Sequence, residues 1–512
     1  MSVFRVIIAC ILLSAAAHAQ DNKPHPAAKS SVAEKYGTTI TNAALKKQLY
    51  IIAGPEMEGR ETATRGQERA AAYIAGQFRE IGLQPGVQGK WEQHYPLYSD
   101  SLKQGTMTVR GKTFEYGDGF IADLRTSHED DIATAKVVFA GYGIVADGRD
   151  DYRNLDASNG VVLIREGTVP GIAADKSRLI DKIKVAKEKG ARALLVITPA
   201  VDRYRALDQR QLRKTGTYLE RDTIVRALNV YFVSPAMAAV ILGIGESDSL
   251  LADIHSGKRK PAMIDTGIHI LFRKEFMTLR PCNVLGYLEG SDKKDEIVFI
   301  TAHFDHLGQR GDKIFYGADD DGSGTSAVIS IAAAFAQAKR EGHGPRRSMV
   351  FMTVSGEEKG LLGSKYYTSH PVYPLAQTVV DLNIDMIGRI DPAHEKDTNY
   401  VYIIGDNKLS SELRPINEKA NDTYTGLQLD YKYNSPDDPE AFYYRSDHYM
   451  FAQHNIPIIF YFNGTHADYH QHTDTVDKIN FDLLTRRAQL VFYTAWDIAN
   501  RELRPVVDRH EE

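Results

Sequence analysis

Cysteine is nearly absent from this chain: the 512 residues contain two, Cys10 and Cys282. Cys10 lies inside an apolar stretch from Val6 to Ala17, preceded by Arg5 and closed by Ala17-His18-Ala19. A basic residue, a short apolar run and a small-x-small site read as a secretory signal peptide over 1–19, cut before Gln20. Its removal would leave Cys282 alone, so no intrachain disulfide is expected and the core must hold without staples. The run is too short to span a bilayer comfortably, and no later segment is apolar enough to do so. An exported protein, periplasmic or secreted, is the expectation. A surplus of positive charge is lacking too: 62 basic against 67 acidic side chains give a net charge of −5. Nothing there suggests a nucleic-acid footprint. Internal repeats and low-complexity tracts are also missing. What remains is an ordinary globular composition, 43% hydrophobic and 25% charged, in a chain long enough for two or three domains.

Residues 20–125 begin with a polar leader and continue as two helices, Thr41 to Ala53 and Gln67 to Ile81, the second closed by Gly82. Residues 126–267 look like a separate unit. Lys136 to Ala140, Gly160 to Arg165 and Ala193 to Thr198 read as strands, and Asp181 to Lys189 as a helix, giving a βαβ signature. Arg203 to Lys214 reads as a solvated loop or helix face. From Pro281 strands and helices alternate through residues 268–505. The strands are Asn283 to Leu288, Glu296 to Ala302, Ser348 to Val354, Val379 to Met386, Tyr400 to Ile404 and Pro457 to Phe462. Helices fall at Thr325 to Lys339, Leu409 to Asn421 and Phe481 to about Leu503. That alternation predicts an α/β fold with a mixed, largely parallel central sheet covered by helices on both faces.

Where those apolar runs end, polar motifs begin. They are His303-Phe304-Asp305, Gly317 through Gly324 with Asp319-Asp320-Asp321, Gly356-Glu357-Glu358, Asn383-Ile384-Asp385-Met386 and Tyr469 through Asp474. Open α/β sheets place ligands at the carboxyl ends of their strands. Imidazole and carboxylate together suit Zn²⁺, and two ions close together need a bridging carboxylate. Asp320, in mid-triplet before a helix start, is the natural bridge. Taken alone the triplet is more often a helix cap. A calcium loop is excluded, because an EF-hand with Gly322 at its sixth position would need acids where Gly317 and Val328 stand. His303 should project from its strand end, with Asp305 placed to accept from its other ring nitrogen; His306 is a second candidate. Glu357 and Glu358 follow a buried strand and would repel each other unless something cationic shares the site. Among His466, His470 and His472, spacing alone does not choose.

These motifs, in this order, together with Arg445-Ser446-Asp447-His448, resemble the co-catalytic zinc exopeptidases: secreted leucyl aminopeptidases, glutamate carboxypeptidase and the transferrin receptor. The resemblance runs from about Arg280 to Arg501, and Glu58-Gly59-Arg60 through Pro85 resembles the family's N-terminal portion. Val137 to Gly143 and Ala186 to Ala191 resemble an inserted protease-associated domain. The resemblance implies two Zn²⁺ ions, one held by His303 and Asp385 and the other by Glu358 and His470, with Asp320 bridging. It further implies Asp305 orienting His303, Glu357 as general base, and Tyr443 or Tyr444 offering a hydroxyl to the substrate carbonyl. The implied activity is removal of N-terminal residues from peptides. Its rivals are a carboxypeptidase or dipeptidase of the same fold, a glutaminyl cyclase-like transferase, and a silent receptor-like binding module.

Overall fold

A computed structural model describes residues 31–510 except 125, 147, 170, 174–175, 205–213, 220–227 and 246–247. The proposed leader and most of Arg203 to Lys214 therefore lie outside the described residues. The chain forms two large sheets with helices, a mixed α/β architecture.

The first sheet has four parallel strands at its centre, in the order Arg347–Val354, Lys293–His303, Thr378–Ile384 and Ile458–Phe462. Antiparallel partners flank them: Cys282–Leu288 on one side and Tyr400–Ile404 on the other. Strands Arg347–Val354 and Thr378–Ile384 are buried along their whole length, as a sheet covered on both faces requires. Side chains alternate between the two cores. Val298, Ile300 and Ala302 join a cluster with helices Asn42–Ile52, Arg65–Ile81, Gly324–Arg340 and Phe481–Asn500. Ile297 and Phe299 point the other way, toward Tyr367 and Phe451. The two-residue period of a strand thus builds two hydrophobic layers from one sequence run. Helix Arg65–Ile81 ends at Gly82, whose φ of 89° is the left-handed stop that glycine adopts most readily.

Element bounds differ from expectation in a few places. The helix expected from Leu409 starts at Leu413, because Ser410 Oγ accepts the Glu412 N–H in a local turn just before it. The last helix stops at Asn500, where Arg501 turns extended.

The second sheet contains the expected strand–helix–strand, Val161–Arg165, Leu179–Glu188 and Ala193–Ile197. It also contains two long strands not foreseen, Leu97–Val109 and Ala262–Leu279, paired antiparallel from Leu97↔Leu279 to Val109↔Ile268. Strands between Leu97 and Ala122, assigned by sequence to the N-terminal part, pair within this second sheet. His94 and Cys282 pair in the first sheet, so the chain leaves and re-enters it at neighbouring points.

Candidate metal centre

The four central strands deliver their carboxyl ends to one place. His303 is the last residue of its strand, Glu357 and Glu358 follow Val354 by one turn, and Asp385 follows Ile384. The loop after Phe462 brings back His470. Backbone in the left-handed region turns the chain at Gly356 (φ 75°), Met386 (φ 57°) and His470 itself (φ 57°). Such residues are uncommon outside glycine and aim side chains where a regular strand end would not.

The three aspartates before helix Gly324–Arg340 do three different things. Asp319 accepts from the Gly388 N–H at 2.6 Å and lies 3.1 Å from His466 Nε2. Asp321 accepts from Gly324 N and Met386 N, capping the helix and tying it to the Asp385 turn. Asp320 faces the histidines: its Oδ1 is 3.2 Å from His303 Nε2 and its Oδ2 is 3.2 Å from His470 Nε2. Asp385 Oδ1 lies 3.5 Å from His303 Nε2, and Glu358 Oε2 lies 3.3 Å from His470 Nε2. His303, Asp320, Glu358, Asp385 and His470, the ligands the resemblance implies, therefore stand together, whereas His466 faces Asp319 and His472 packs against Phe315. Gly324 is packed hard beneath it. A Cβ there would sit 2.4 Å from Asp321 Oδ2 and 2.6 Å from Ile384 O. Gly324→Ala is expected to cost about 1–3 kcal/mol through this overpacking and to loosen metal binding; unfolding in denaturant and bound-metal content check both.

Two expectations need correction. His303 Nδ1 is held by the main-chain carbonyl of Asp305 at 3.0 Å, while the nearer oxygen of the Asp305 carboxylate lies 3.8 Å away. The tight turn after His303 puts the carbonyl under the ring, so that is what fixes the tautomer. The carboxylate instead accepts from Thr62 Oγ1 at 2.6 Å and Glu357 N at 3.3 Å. Nor does Tyr443 or Tyr444 line the pocket over the cluster; Tyr469 does. Tyr443 is buried against His448 and Tyr449, and Tyr444 is 54% exposed.

His306 deserved more weight in the sequence than a bare second candidate. It is fully buried, and its Nδ1 is 2.8 Å from Glu358 Oε1. Its ligand atoms group with those of Asp320 and Glu358, as those of His303 group with Glu357 and Asp385. The signal available was its position three residues after His303, in a turn that carries no other reason for an imidazole.

Arg60, in the Glu58-Gly59-Arg60 segment, is a further buried residue that holds the loops of the cluster. Its guanidinium, fully buried, donates to Phe304 O, Ile52 O, Tyr316 O and Gly317 O at 2.6–3.1 Å.

The donor set fits a cation. His303 Nε2, Asp320 Oδ2 and Glu358 Oε1 are buried and face only the imidazoles and carboxylates of this same cluster. Buried imidazole and carboxylate atoms crowded together with no other polar partner are what a metal would satisfy. Burial alone would lower the His303 pKa, but Asp385, Glu357 and Asp320 overcome it and raise it well above its ordinary value. Burial also opposes His470, yet hydrogen bonds to Asp320 and Glu358 bring it up to about 10. Burial raises Glu357 well above the carboxylate range, with Asp385, Glu358 and Asp447 adding to it against His303.

Residues 283–495 match peptidase family M28. Relatives of the chain include "Leupeptin-inactivating enzyme 1" of Streptomyces exfoliatus, 29% identical over 36% of this chain and 42% of that one. Aminopeptidase YwaD of Bacillus subtilis (strain 168) is 24% identical over 67% of this chain and 60% of the relative. The chain spans about half the length of the first curated relatives it matches. Among solved structures, the aminopeptidase from Aneurinibacillus sp. strain AM-1 superposes with a TM-score of 0.53 at 18% identity. That alignment covers 94% of this chain and all of the other, and establishes a shared fold. Among the described residues no helix is long and apolar enough to cross a membrane.

Proposed function

We propose that this chain is a zinc-dependent aminopeptidase of peptidase family M28. The observation that carries the reading is Asp320, which turns one oxygen to His303 and the other to His470 at equal distance. That is the posture of a carboxylate shared by two ions. His303 and Asp385 would hold one Zn²⁺, and Glu358 and His470 the other. His306 backs Glu358, whose carboxyl is opposed by burial but held down at about 2 by His306 and His470. Bound there, the zinc pair would supply Lewis acidity, polarising a peptide carbonyl and making water acidic near neutral pH.

The chain's own groups do the rest. Glu357 lines the pocket beside Asp320 and Asp385, where it can take the proton of the attacking water and pass it to the leaving amine. Asp305 anchors the Glu357 main chain and its own carbonyl orients His303. Two relatives named as aminopeptidases, matched over more of this chain than the two named as glutamate carboxypeptidases, support the aminopeptidase reading. The unit spanning Leu97–Val109 to Ala262–Leu279 is read as the inserted protease-associated domain, and residues 1–19 as the export signal. A screen of aminoacyl reporters and of peptides with free or blocked N-termini, with zinc measured on the same sample, tests the reading. Equal cleavage of blocked and free peptides would overturn it.

In the metal-free protein His303 and His470 should be protonated at pH 7. Their pairing with carboxylates then contributes stability that is full below about 6.5, since the His470 pKa is raised from that value, and is lost as pH rises through about 10. Zinc loading at pH 7 is expected to release about two protons, because a metal needs neutral imidazole. Calorimetry in buffers of different ionisation heat measures this; heats independent of buffer would contradict it.

A further inference from the structure

The pocket above the cluster has an acidic floor of Asp320, Glu357 and Asp385, an apolar wall that includes Phe442, Phe460 and Phe462, and one cation, Arg445. The proposed chemistry gives every acidic residue a task and gives Arg445 none. Its guanidinium carbon lies 4.5 Å over the Phe442 ring. One terminal nitrogen reaches Tyr469 Oη at 3.5 Å and the other reaches Glu440 O at 3.4 Å, both at the long limit of a hydrogen bond. The Glu440 carboxylate is 3.8 Å away and 62% exposed, a weak partner. Resting on an aromatic face leaves the edge of a guanidinium open, and that edge carries five N–H donors in a planar fork that matches a carboxylate. The side chain is 39% exposed, so a ligand in the pocket can reach it.

We propose that Arg445 binds a substrate carboxylate, so that this enzyme favours peptides presenting one next to the scissile bond. The inference rests on the exopeptidase reading above. Two sources share the chemistry: the free C-terminus of a dipeptide, or an acidic first side chain. The apolar wall of Phe442, Phe460 and Phe462 is poorly suited to an acidic side chain, which makes the dipeptide terminus the expected source.

The test compares kcat/KM within two substrate pairs, leucyl-leucine against leucyl-leucinamide and glutamate p-nitroanilide against leucine p-nitroanilide. Each is run on the zinc-loaded full chain, as wild type, Arg445→Met and Arg445→Lys. Wild type is expected to favour the C-terminal acid over its amide. Arg445→Met should lose about 10–100-fold on the acid, mostly in KM, and stay within about threefold on the amide. Arg445→Lys should fall between, keeping charge without the fork. The same pattern confined to the anilide pair would assign the carboxylate to the first side chain. Equal losses on both members of both pairs would make Arg445 a clamp for its own loop and overturn the proposal. So would a wild type indifferent to the carboxylate in both pairs, a result that needs no folded variant. Cleavage without that preference leaves the aminopeptidase reading standing; cleavage of none of the four substrates overturns both.

Discussion

Glu357→Gln is expected to lower kcat by about 10²–10⁴-fold, the usual contribution of a positioned proton shuttle, while zinc content stays at the wild-type level. The two halves of that outcome test different things. Glutamine keeps the shape and the hydrogen-bonding edge of the side chain but has no site for the water's proton. Loss of turnover therefore reports the base. Retained zinc reports that Glu357 is not a ligand, a real alternative, since its oxygen lies within reach of His303 Nε2 at 3.9 Å and groups with His303 and Asp385. Its neighbour Glu358 faces the other way, to His306 and His470. Adjacent carboxylates repel, and opposite orientation lets one pair with histidines while the other is raised above the carboxylate range by burial. Steady-state kinetics and elemental analysis of the same preparation suffice. Activity within threefold of wild type would remove Glu357 from the mechanism, and loss of zinc would make it a ligand.

Arg60→Met is expected to be the most damaging single change away from the zinc site, costing about 3–5 kcal/mol, as removal of a buried, fully engaged charge does. Methionine fills much of the volume, so the loss is mainly electrostatic. Four main-chain carbonyls would lose their donor at once, three of them in residues 304–317. Burial disfavours the Arg60 charge, and the nearest compensation comes from Asp320, Asp305, Asp321 and Asp474. The cation thus also offsets the crowding of carboxylates above it. Lysine would be a poor substitute, since one ammonium head cannot reach four carbonyls spread around a planar fork. The urea midpoint should fall sharply and zinc should bind more weakly. A midpoint equal to wild type would show that these carbonyls find water instead.

Much of the centre was readable in the chain because physics concentrates it. Apolar runs such as Ile297–Ile300 must be buried strands, and a polar residue at the end of such a strand is placed at the sheet's carboxyl edge by the backbone alone. Hence His303, Glu357, Glu358 and Asp385 fall together, while the choice of His470 as the second histidine facing Asp320 came from the family resemblance and not from spacing. What was not readable depends on φ and on distant contacts. Whether Asp305 serves by carbonyl or carboxylate is decided by the turn between positions 303 and 305, not by residue type. The pocket tyrosine is Tyr469 rather than Tyr443 because the short turn Phe442–Tyr444 gives its pocket-facing place to Phe442. Burial alternates along much of Ala262–Leu279, and Leu97–Val109 is mostly polar, so no long apolar run announces either.

The grip of Arg60 on the 304–317 loops also sets an order of events during synthesis. The N-terminal segment leaves the ribosome first, yet its binding partners lie some 244–257 residues later. His470 arrives later still. A chain short of that point has an arginine without its carbonyls and carboxylates without their second histidine. Domains generally fold as units as they emerge, but this one cannot close its catalytic end until nearly all of it has been made. Partly synthesised or truncated chains should consequently be inert toward peptides, a safeguard arising from connectivity alone.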